Sequence, residues 1–221
     1  MDIKIITGVV AFAMLAFAIG LMIPDSKQPP AQSFPWQINE TENGATQVFG
    51  LTLGESTLRQ AEQAFQSQSE LSLFEPAPGK GQRVVEAYFD KVTLEGLSAK
   101  VVAVMQLTPE QLQIMFERGA RISTLGDGSR KVTLDAQDVM QVRDTPIYTI
   151  TYLPRIRLES ALLEKRFGKP EQVIVEKESK TSHWLYPKLG LDIAMDEKSN
   201  AVFQYVVPAH FAKLVKPLTQ N

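Results

Sequence analysis

The sequence predicts an α+β fold, in which an N-terminal transmembrane helix precedes an antiparallel sheet with short helices packed on one face. Residues 5–23 are apolar and uncharged, and most segments after residue 84 alternate apolar and polar residues with the period of a strand. Short helical patterns with clear end signals lie between these strands. A helix followed by strands occurs near residue 56 and again near residue 158, which predicts two related helix–meander halves.

The composition limits the classes of function. The 221 residues are 44% hydrophobic and 22% charged, which is typical of a globular chain with a membrane segment added. A formal net charge of −2 with scattered Lys and Arg offers no basic stripe, so nucleic acid is not an expected partner. The chain has no cysteine, which excludes disulfides, thiol catalysis and thiolate metal sites.

The first 34 residues predict a membrane anchor and a linker. An α-helix over residues 5–23 would be about 28 Å long, close to the thickness of a bilayer core. The alternative is a cleaved secretory signal, with Lys4 as its positive region and a cleavage site at Ala16-Phe17-Ala18. That site lies inside the apolar run, which continues to Pro24, so we favour an uncleaved anchor at 1–24. Residues 25–34, rich in Pro, Gln and Ser, form the linker.

Two domain halves are predicted after the linker, at residues 35–145 and 146–221. The predicted strands of the first half are residues 36–39, 46–49, 84–89 and 97–105. Asn43-Gly44 favours a tight hairpin between the first two strands, because both positions tolerate positive φ. Beyond a Pro/Gly loop at 76–81, the residues Asp90, Glu95 and Gly96 indicate the turn between the last two.

Three short helices are predicted in the first half from local end signals. The first is capped by Ser56 or Thr57, the second by Thr108 with Pro109 at its first position, and the third by Asp135. They end near Phe65, Gly119 and Arg143.

The second half begins with a strand at residues 146–153 and a helix at 158–167, which Gly168 and Pro170 end. A meander follows it. Its predicted strands are residues 183–186, 189–196 and 201–207, with a turn at 196–200 and a closing amphipathic helix at 208–215.

Two windows resemble the small SmpA/OmlA-like outer-membrane assembly lipoproteins. They are Leu-Gly-Glu-Ser-Thr-Leu at 53–58, and Arg-Phe-Gly-Lys-Pro-Glu at 166–171 with Trp-Leu-Tyr at 184–186. The family has a capped short helix followed by a three-stranded meander with aromatic residues. This chain departs from it, because no lipobox cysteine is present and Gln66 replaces the helix-ending glycine of the first window. The string at 183–192 is also similar to an uncharacterised group of proteobacterial membrane-anchored proteins. The resemblance implies a Gram-negative envelope protein that acts by binding.

Candidate site residues are few. His183 is next to Trp184 in a predicted strand and is the only histidine there that could serve as a general base or metal ligand. No partner lies nearby in sequence, and His210 would help only if the last helix folded back. No catalytic, cofactor or metal-binding residue is therefore predicted. The carboxylates Asp192 and Asp196 are interpreted as solvated strand positions.

Aromatic side chains suggest an interaction surface. Trp184 and Tyr186 lie on one face of their strand, a position more typical of packing than of ligand binding. Trp36 follows the linker and could lie at the membrane interface, in a partner's groove or over the hairpin. We name Trp36, His183, Trp184 and Tyr186 as a possible interaction surface.

The expected function is that of a non-enzymatic, single-pass protein of the bacterial inner membrane. Its N-terminus would be cytoplasmic, and its periplasmic domain would act as a binding or scaffold subunit for other inner-membrane or periplasmic proteins. One alternative is an envelope hydrolase or metal-dependent enzyme using His183. Another is a small apolar-ligand module with a pocket lined by Trp184, Tyr186 or Phe203.

Overall fold

Thirteen strands and five α-helices occur in residues 34–219, which are the residues that the computed structural model describes. The first strands are β1 (Asn39–Glu40), β2 (Thr46–Val48), β3 (Leu51–Thr52), β4 (Glu70–Glu75), β5 (Val84–Leu94) and β6 (Leu97–Met105). The others are β7 (Arg121–Thr124), β8 (Arg130–Thr133), β9 (Ile147–Pro154), β10 (Gln172–Val175), β11 (Ser182–Tyr186), β12 (Leu191–Met195) and β13 (Ala201–Val206).

The helices are short, and all but the last lie between strands. They are α1 (Leu58–Phe65), α2 (Pro109–Glu117), α3 (Ala136–Arg143), α4 (Ser160–Phe167) and α5 (Phe211–Val215). Single 3₁₀ turns occur at Pro187–Leu189, Pro208–His210 and Lys216–Thr219.

Ten of the strands form one antiparallel sheet, in the order β10-β11-β12-β13-β9-β6-β5-β4-β8-β7. Strands β1, β2 and β3 form a separate small meander. The described residues make one compact unit. The predicted α+β class with an antiparallel sheet is therefore confirmed.

Alternation along the central strands gives this sheet a buried face and a half-buried face. Phe89, Val101, Tyr152, Phe203 and Ile193 stand next to one another in register across five strands, and all are fully buried. We call this side the core face. Helices α1 to α4 contribute Phe65, Met115, Val142 and Leu163 to the same hydrophobic core.

The opposite side, which we call the back face, carries the intervening residues Tyr88, Val102, Thr151 and Gln204, which are half-buried. Helix α5 packs on this side, because Phe211 contacts Leu185 and Val206, which point away from the core. The prediction that the helices pack on one face is thus wrong for α5.

Local end signals place the helices correctly. Thr57 and Thr108 each form a capping box with the glutamine three residues later, and the Asp135 side chain accepts a hydrogen bond from the amide of Gln137. Helix α4 begins at Ser160, two residues after the predicted start, and its N-cap residue Glu159 makes no capping bond through its side chain.

Strand boundaries are predicted less well. Strand β5 runs past Asp90, which was expected in a turn, because a bulge between Phe89 and Val92 lets the pairing with β6 continue. The turn is at Glu95 and Gly96, both with positive φ. The sequence does not predict five further strands, β3, β4, β7, β8 and β10.

The predicted anchor at 5–23 lies outside the described residues. Within residues 34–219, no helix is long and apolar enough to cross a membrane.

Candidate functional site

A cleft of about 900 Å³ lies at one end of strands β5 and β6. One wall is the segment 76–83, which connects β4 to β5. The other walls come from the turn before β8, from the segment that leads into α2, and from β9 and α5. We call this feature the cleft.

The composition of segment 76–83 explains its shape. Pro76, Pro78, Gly79 and Gly81 prevent a direct hairpin between β4 and β5, and Gly79 adopts a φ of +80° that favours glycine. The amide of Lys80 donates to the carbonyl of Ala77 at 2.9 Å, which closes a tight turn. The segment therefore stands out as one wall of the cleft.

The floor of the cleft is apolar and its rim is cationic. Val84, Val104, Met105, Leu107 and Leu112 supply the apolar lining. Arg83, Arg130 and Lys213 are lining cations, and Glu75 is the only carboxylate among the lining residues. Gln106 and Tyr148 add polar groups between these regions.

Glu75 positions the two arginines. Its Oε1 accepts hydrogen bonds from Nε of Arg83 at 2.9 Å and from Nη2 at 2.5 Å, and Arg130 pairs with its Oε2. Both guanidinium groups also lie over the ring of Phe116, at 4.2 Å for Arg83 and 4.8 Å for Arg130. Partial burial acts to raise the pKa of Glu75, but the hydrogen bonds from Arg83 and Arg130 outweigh it and lower that pKa.

This arrangement is suited to a ligand with apolar and anionic parts. One carboxylate is shared by two arginines, so the three cations of the rim are not fully neutralised. An extended segment could place apolar side chains on the floor and carboxylates at the rim.

A second polar cluster lies on the back face. Nδ1 of His183 is 2.8 Å from Oδ2 of Asp192 on the neighbouring strand, and its Nε2 is 3.6 Å from Oε1 of Glu176. His183 is 7% exposed and Asp192 is 2% exposed. The hydrogen bond with Asp192 raises the pKa of His183, burial opposes this, and the charges of Asp192 and Glu176 add to the increase.

The His183 cluster has few chemical options in this geometry. Both ring nitrogens face carboxylates, and none of its three residues lines the cleft. His210 is instead beside Tyr148, with ring centroids 5.3 Å apart. Within residues 34–219, no group of three or more His, Asp or Glu side chains could hold a metal ion.

The residues of the predicted interaction surface lie on different sides of the sheet. Trp184 and Tyr186 are on the core face, where Trp184 is half-buried and the hydroxyl of Tyr186 donates to the carbonyl of Gly168 at 2.9 Å. Burial raises the pKa of Tyr186 to about 12. His183 is on the back face. Trp36 stacks on Phe34 and lies 4.7 Å from the guanidinium of Arg166.

The sequence does not predict the cleft, although it predicts one of the loops that form its walls. The sequence predicts the Pro/Gly loop at 76–81, but no local pattern connects it with the charged residues at either end, Glu75 and Arg83. Phe203, Trp184 and Tyr186, expected around an apolar pocket, pack against the core instead and do not line the cleft.

Comparisons of the chain with protein-family models, with curated proteins and with solved structures gave no match.

Proposed function

We propose that this chain is a membrane-anchored binding protein of the bacterial envelope. Residues 5–23 would hold it in the inner membrane with the N-terminus in the cytoplasm, and the domain that follows would bind another envelope protein in the periplasm. The cleft is the observation that carries the binding function, because it combines an apolar floor with an incompletely neutralised cationic rim.

The partner would offer an extended acidic segment with apolar residues between its carboxylates. Arg83, Arg130 and Lys213 would pair with the carboxylates, and Leu107 and Leu112 would contact the apolar side chains. Because the arginines are already held by Glu75 and Phe116, little conformational freedom would be lost on binding.

The surroundings of His183 support binding rather than catalysis. A general base needs a nitrogen that can reach a substrate, whereas both ring nitrogens of His183 face carboxylates and the residue is 7% exposed. The hydrolase alternative would require this buried cluster to open.

A peptide titration tests the binding proposal. The full-length protein is purified in detergent and titrated with a labelled peptide of alternating Glu and Val, and with matched peptides that carry Lys or Gln in place of Glu. The acidic peptide should bind best. The triple variant Arg83→Gln, Arg130→Gln, Lys213→Gln should bind it at least about tenfold more weakly.

The matched control removes three exposed cations elsewhere, as Lys91→Gln, Arg157→Gln and Lys165→Gln. This variant has the same net charge as the cleft variant and should bind the acidic peptide like the wild type. Equal loss in both variants would mean non-specific attraction, and equal binding of the three peptides would contradict the proposal. Binding of a fatty acid but of no peptide would favour the small-ligand alternative.

The location is tested separately. We expect the mature protein to keep residues 1–23, as seen by mass spectrometry. A phosphatase reporter fused after Asn221 should be active in the periplasm. A mature terminus beyond Ala18 would contradict the anchor, and an inactive reporter would contradict the orientation.

We also propose that the two helix–meander units are related. Helix α1 leads into β4, β5 and β6, and α4 leads into β10, β11 and β12, in each case from the outer side of the sheet towards its centre. Their last residues make equivalent contacts, with Phe65 5.2 Å from Phe89 on the second strand and Phe167 5.8 Å from Tyr186 on the second strand.

The end of α1 supports this relationship and the resemblance to the SmpA/OmlA-like lipoproteins. Gln66 has a φ of +49°, in the left-handed region that a helix-ending glycine would adopt there. Superposition of the two units tests the proposal, since Phe65 must fall on Phe167 and Phe89 on Tyr186.

A further inference from the structure

One edge of the large sheet is formed by β10, whose sequence is Gln-Val-Ile-Val. Val173 and Val175 are 49% and 58% exposed, and both lie on the core-face side next to β11. The strand contains no proline, bulge or lysine, which are common devices that prevent edge strands from pairing. Among the described residues, nothing is hydrogen-bonded along its outer side.

The hydrogen-bond pattern shows which groups point outwards. The amide of Glu176 donates to the carbonyl of Thr181 on the β11 side. Because neighbouring residues of an antiparallel strand alternate in direction, the amide and carbonyl of Ile174 also face β11. Those of Val173 and Val175 face away from the sheet and are available to another strand.

The sequence of this edge is complementary to itself in one register. If two copies pair antiparallel about Ile174, Val173 of one copy lies opposite Val175 of the other, and their outward groups can exchange hydrogen bonds. Glu171 and Lys177 flank the strand, in a bend and a turn, and the same register brings these two side chains near each other twice, once on each side of the axis. A register centred on Val173 would instead bring Lys169 opposite Lys177.

We propose that two copies of this chain associate through β10, with Ile174 on the two-fold axis, so that the two ten-stranded sheets become continuous. The occupant of the edge is a second copy because the valines and the charges match in this register. The interface is isologous, as expected for a two-fold dimer. It is also small, and two-dimensional confinement by a membrane anchor would favour its formation.

Cysteine cross-linking of the full-length protein in its membranes tests the register. The chain has no cysteine of its own. Across the axis, two residues at 174 would have Cα atoms about 4.5 Å apart, which a disulfide can bridge. The variant Ile174→Cys should therefore give a disulfide-linked dimer under mild oxidation.

The matched control is Gln172→Cys, on the same edge and the same face. In the proposed register, its two copies would be about 13 Å apart, so it should give at least about fivefold less linked dimer. A second control is Thr124→Cys on β7, at the other edge of the sheet. Equal linkage in the three variants would indicate random collision and would overturn the proposal. More linkage at 172 than at 174 would overturn the register.

Charge exchange gives a test that needs no cysteine. Glu171→Lys and Lys177→Glu should each lower the dimer association constant roughly fivefold to tenfold, because they place like charges opposite each other twice. The double variant should restore the dimer. Lys188 lies 3.8 Å from Glu171 within one chain, so Lys188→Ala is the control and should leave dimerisation unchanged.

Light scattering of the detergent-solubilised protein measures these effects. A wild-type protein that stays monomeric at its highest soluble concentration and gives no linkage at residue 174 would overturn the proposal. Because β10 does not line the cleft, this result would leave the peptide titration unaffected.

Discussion

His183 and Asp192 form a nearly buried hydrogen-bonded pair between strands β11 and β12, with Nδ1 of His183 2.8 Å from Oδ2 of Asp192. The hydrogen bond with Asp192 raises the pKa of His183 above 6.5 despite burial. A histidine whose pKa is higher in the folded state contributes stability that is fully present below pH 6.5 and is lost as the pH rises through the folded-state pKa. Each unit of increase corresponds to about 1.4 kcal/mol.

We therefore expect the free energy of unfolding to fall as the pH rises above about 6.5, and this slope to be smaller in His183→Gln. Urea unfolding at several pH values measures it. NMR titration should give a higher pKa for His183 than for the same residue in Asp192→Asn. A slope of the same size in His183→Gln would show that other groups cause it.

Gly190 is the position where a side chain is least tolerated among the described glycines. Its φ is +62°, and a Cβ atom there would lie 1.9 Å from the carbonyl oxygen of Val206. That carbonyl accepts a hydrogen bond from Thr46, and the Val206 amide donates to Gly190 at 2.8 Å. We expect Gly190→Ala to lower the free energy of unfolding by about 3 kcal/mol or more, because the backbone must move.

Gly50 is a suitable control for this prediction. It also has positive φ, at +74°, but a Cβ atom there would meet nothing within 4 Å. Gly50→Ala should cost about 1 kcal/mol, from backbone strain alone. Urea unfolding of both variants compares the two costs. Similar losses of stability in the two variants would mean that the backbone near Val206 can move away from the new Cβ atom at little cost in free energy.

Features that depend on short-range contacts could be predicted from the sequence. Thr57, Thr108 and Asp135 cap helices through bonds to residues two or three positions later, so their role is visible in a short window. The hairpin at Gly44 and the meander after residue 182 are also predicted locally, from their turn residues and from the alternation of apolar and polar residues along the strands.

Features that depend on long-range pairing could not be predicted. Strands β7 and β8 consist mainly of exposed residues, with Val132 as their one buried residue, so a single apolar position gives too little pattern to predict a strand. They pair with each other, and β8 also pairs with β4. The contact between His183 and Asp192 depends on the register of two strands. The cleft is lined by segments that are far apart in sequence, from Glu75 to Lys213. Only one of them, the Pro/Gly loop at 76–81, has a sequence pattern that predicts its conformation.

Phe49 links the small meander to the main core. It has a positive φ of +56°, is almost fully buried, and its ring lies within 6.1 Å of the rings of Phe65, Tyr152 and Tyr205. Phe49→Ala should lower the free energy of unfolding by about 3–5 kcal/mol, because it leaves a cavity among aromatic rings. Phenylalanine and alanine are equally strained at this positive φ, so the substitution relieves no backbone strain that would offset the loss.

Chemical denaturation of Phe49→Ala can be compared with Leu125→Ala, at an exposed position. We expect Leu125→Ala to change stability by less than about 0.5 kcal/mol. A small effect at Phe49 would mean that the meander of β1 to β3 contributes little to the core.

Glu75 should affect stability and binding in opposite directions. Burial acts to raise the pKa of Glu75, but the hydrogen bonds from Arg83 and Arg130 lower it overall. Because the pKa is lowered in the folded state, this carboxylate stabilises the fold above about pH 4.5. That contribution is lost as the pH falls through the lowered pKa. Glu75→Gln should therefore lower the free energy of unfolding at pH 7 by about 1–2 kcal/mol and reduce the acid dependence of stability. Asp90→Asn is the control, since this exposed carboxylate lies 3.6 Å from Lys100 and Arg155 and should change stability much less than Glu75→Gln does.

The same substitution should strengthen binding of the acidic peptide. Removing the Glu75 charge frees Arg83 and Arg130 from their competing carboxylate, while Phe116 still supports both guanidinium groups. We expect a severalfold higher affinity in Glu75→Gln than in the wild type at pH 7, measured by fluorescence anisotropy. Lower affinity would mean that Glu75 is needed to position the arginines, and unchanged affinity would mean that the peptide binds outside the cleft.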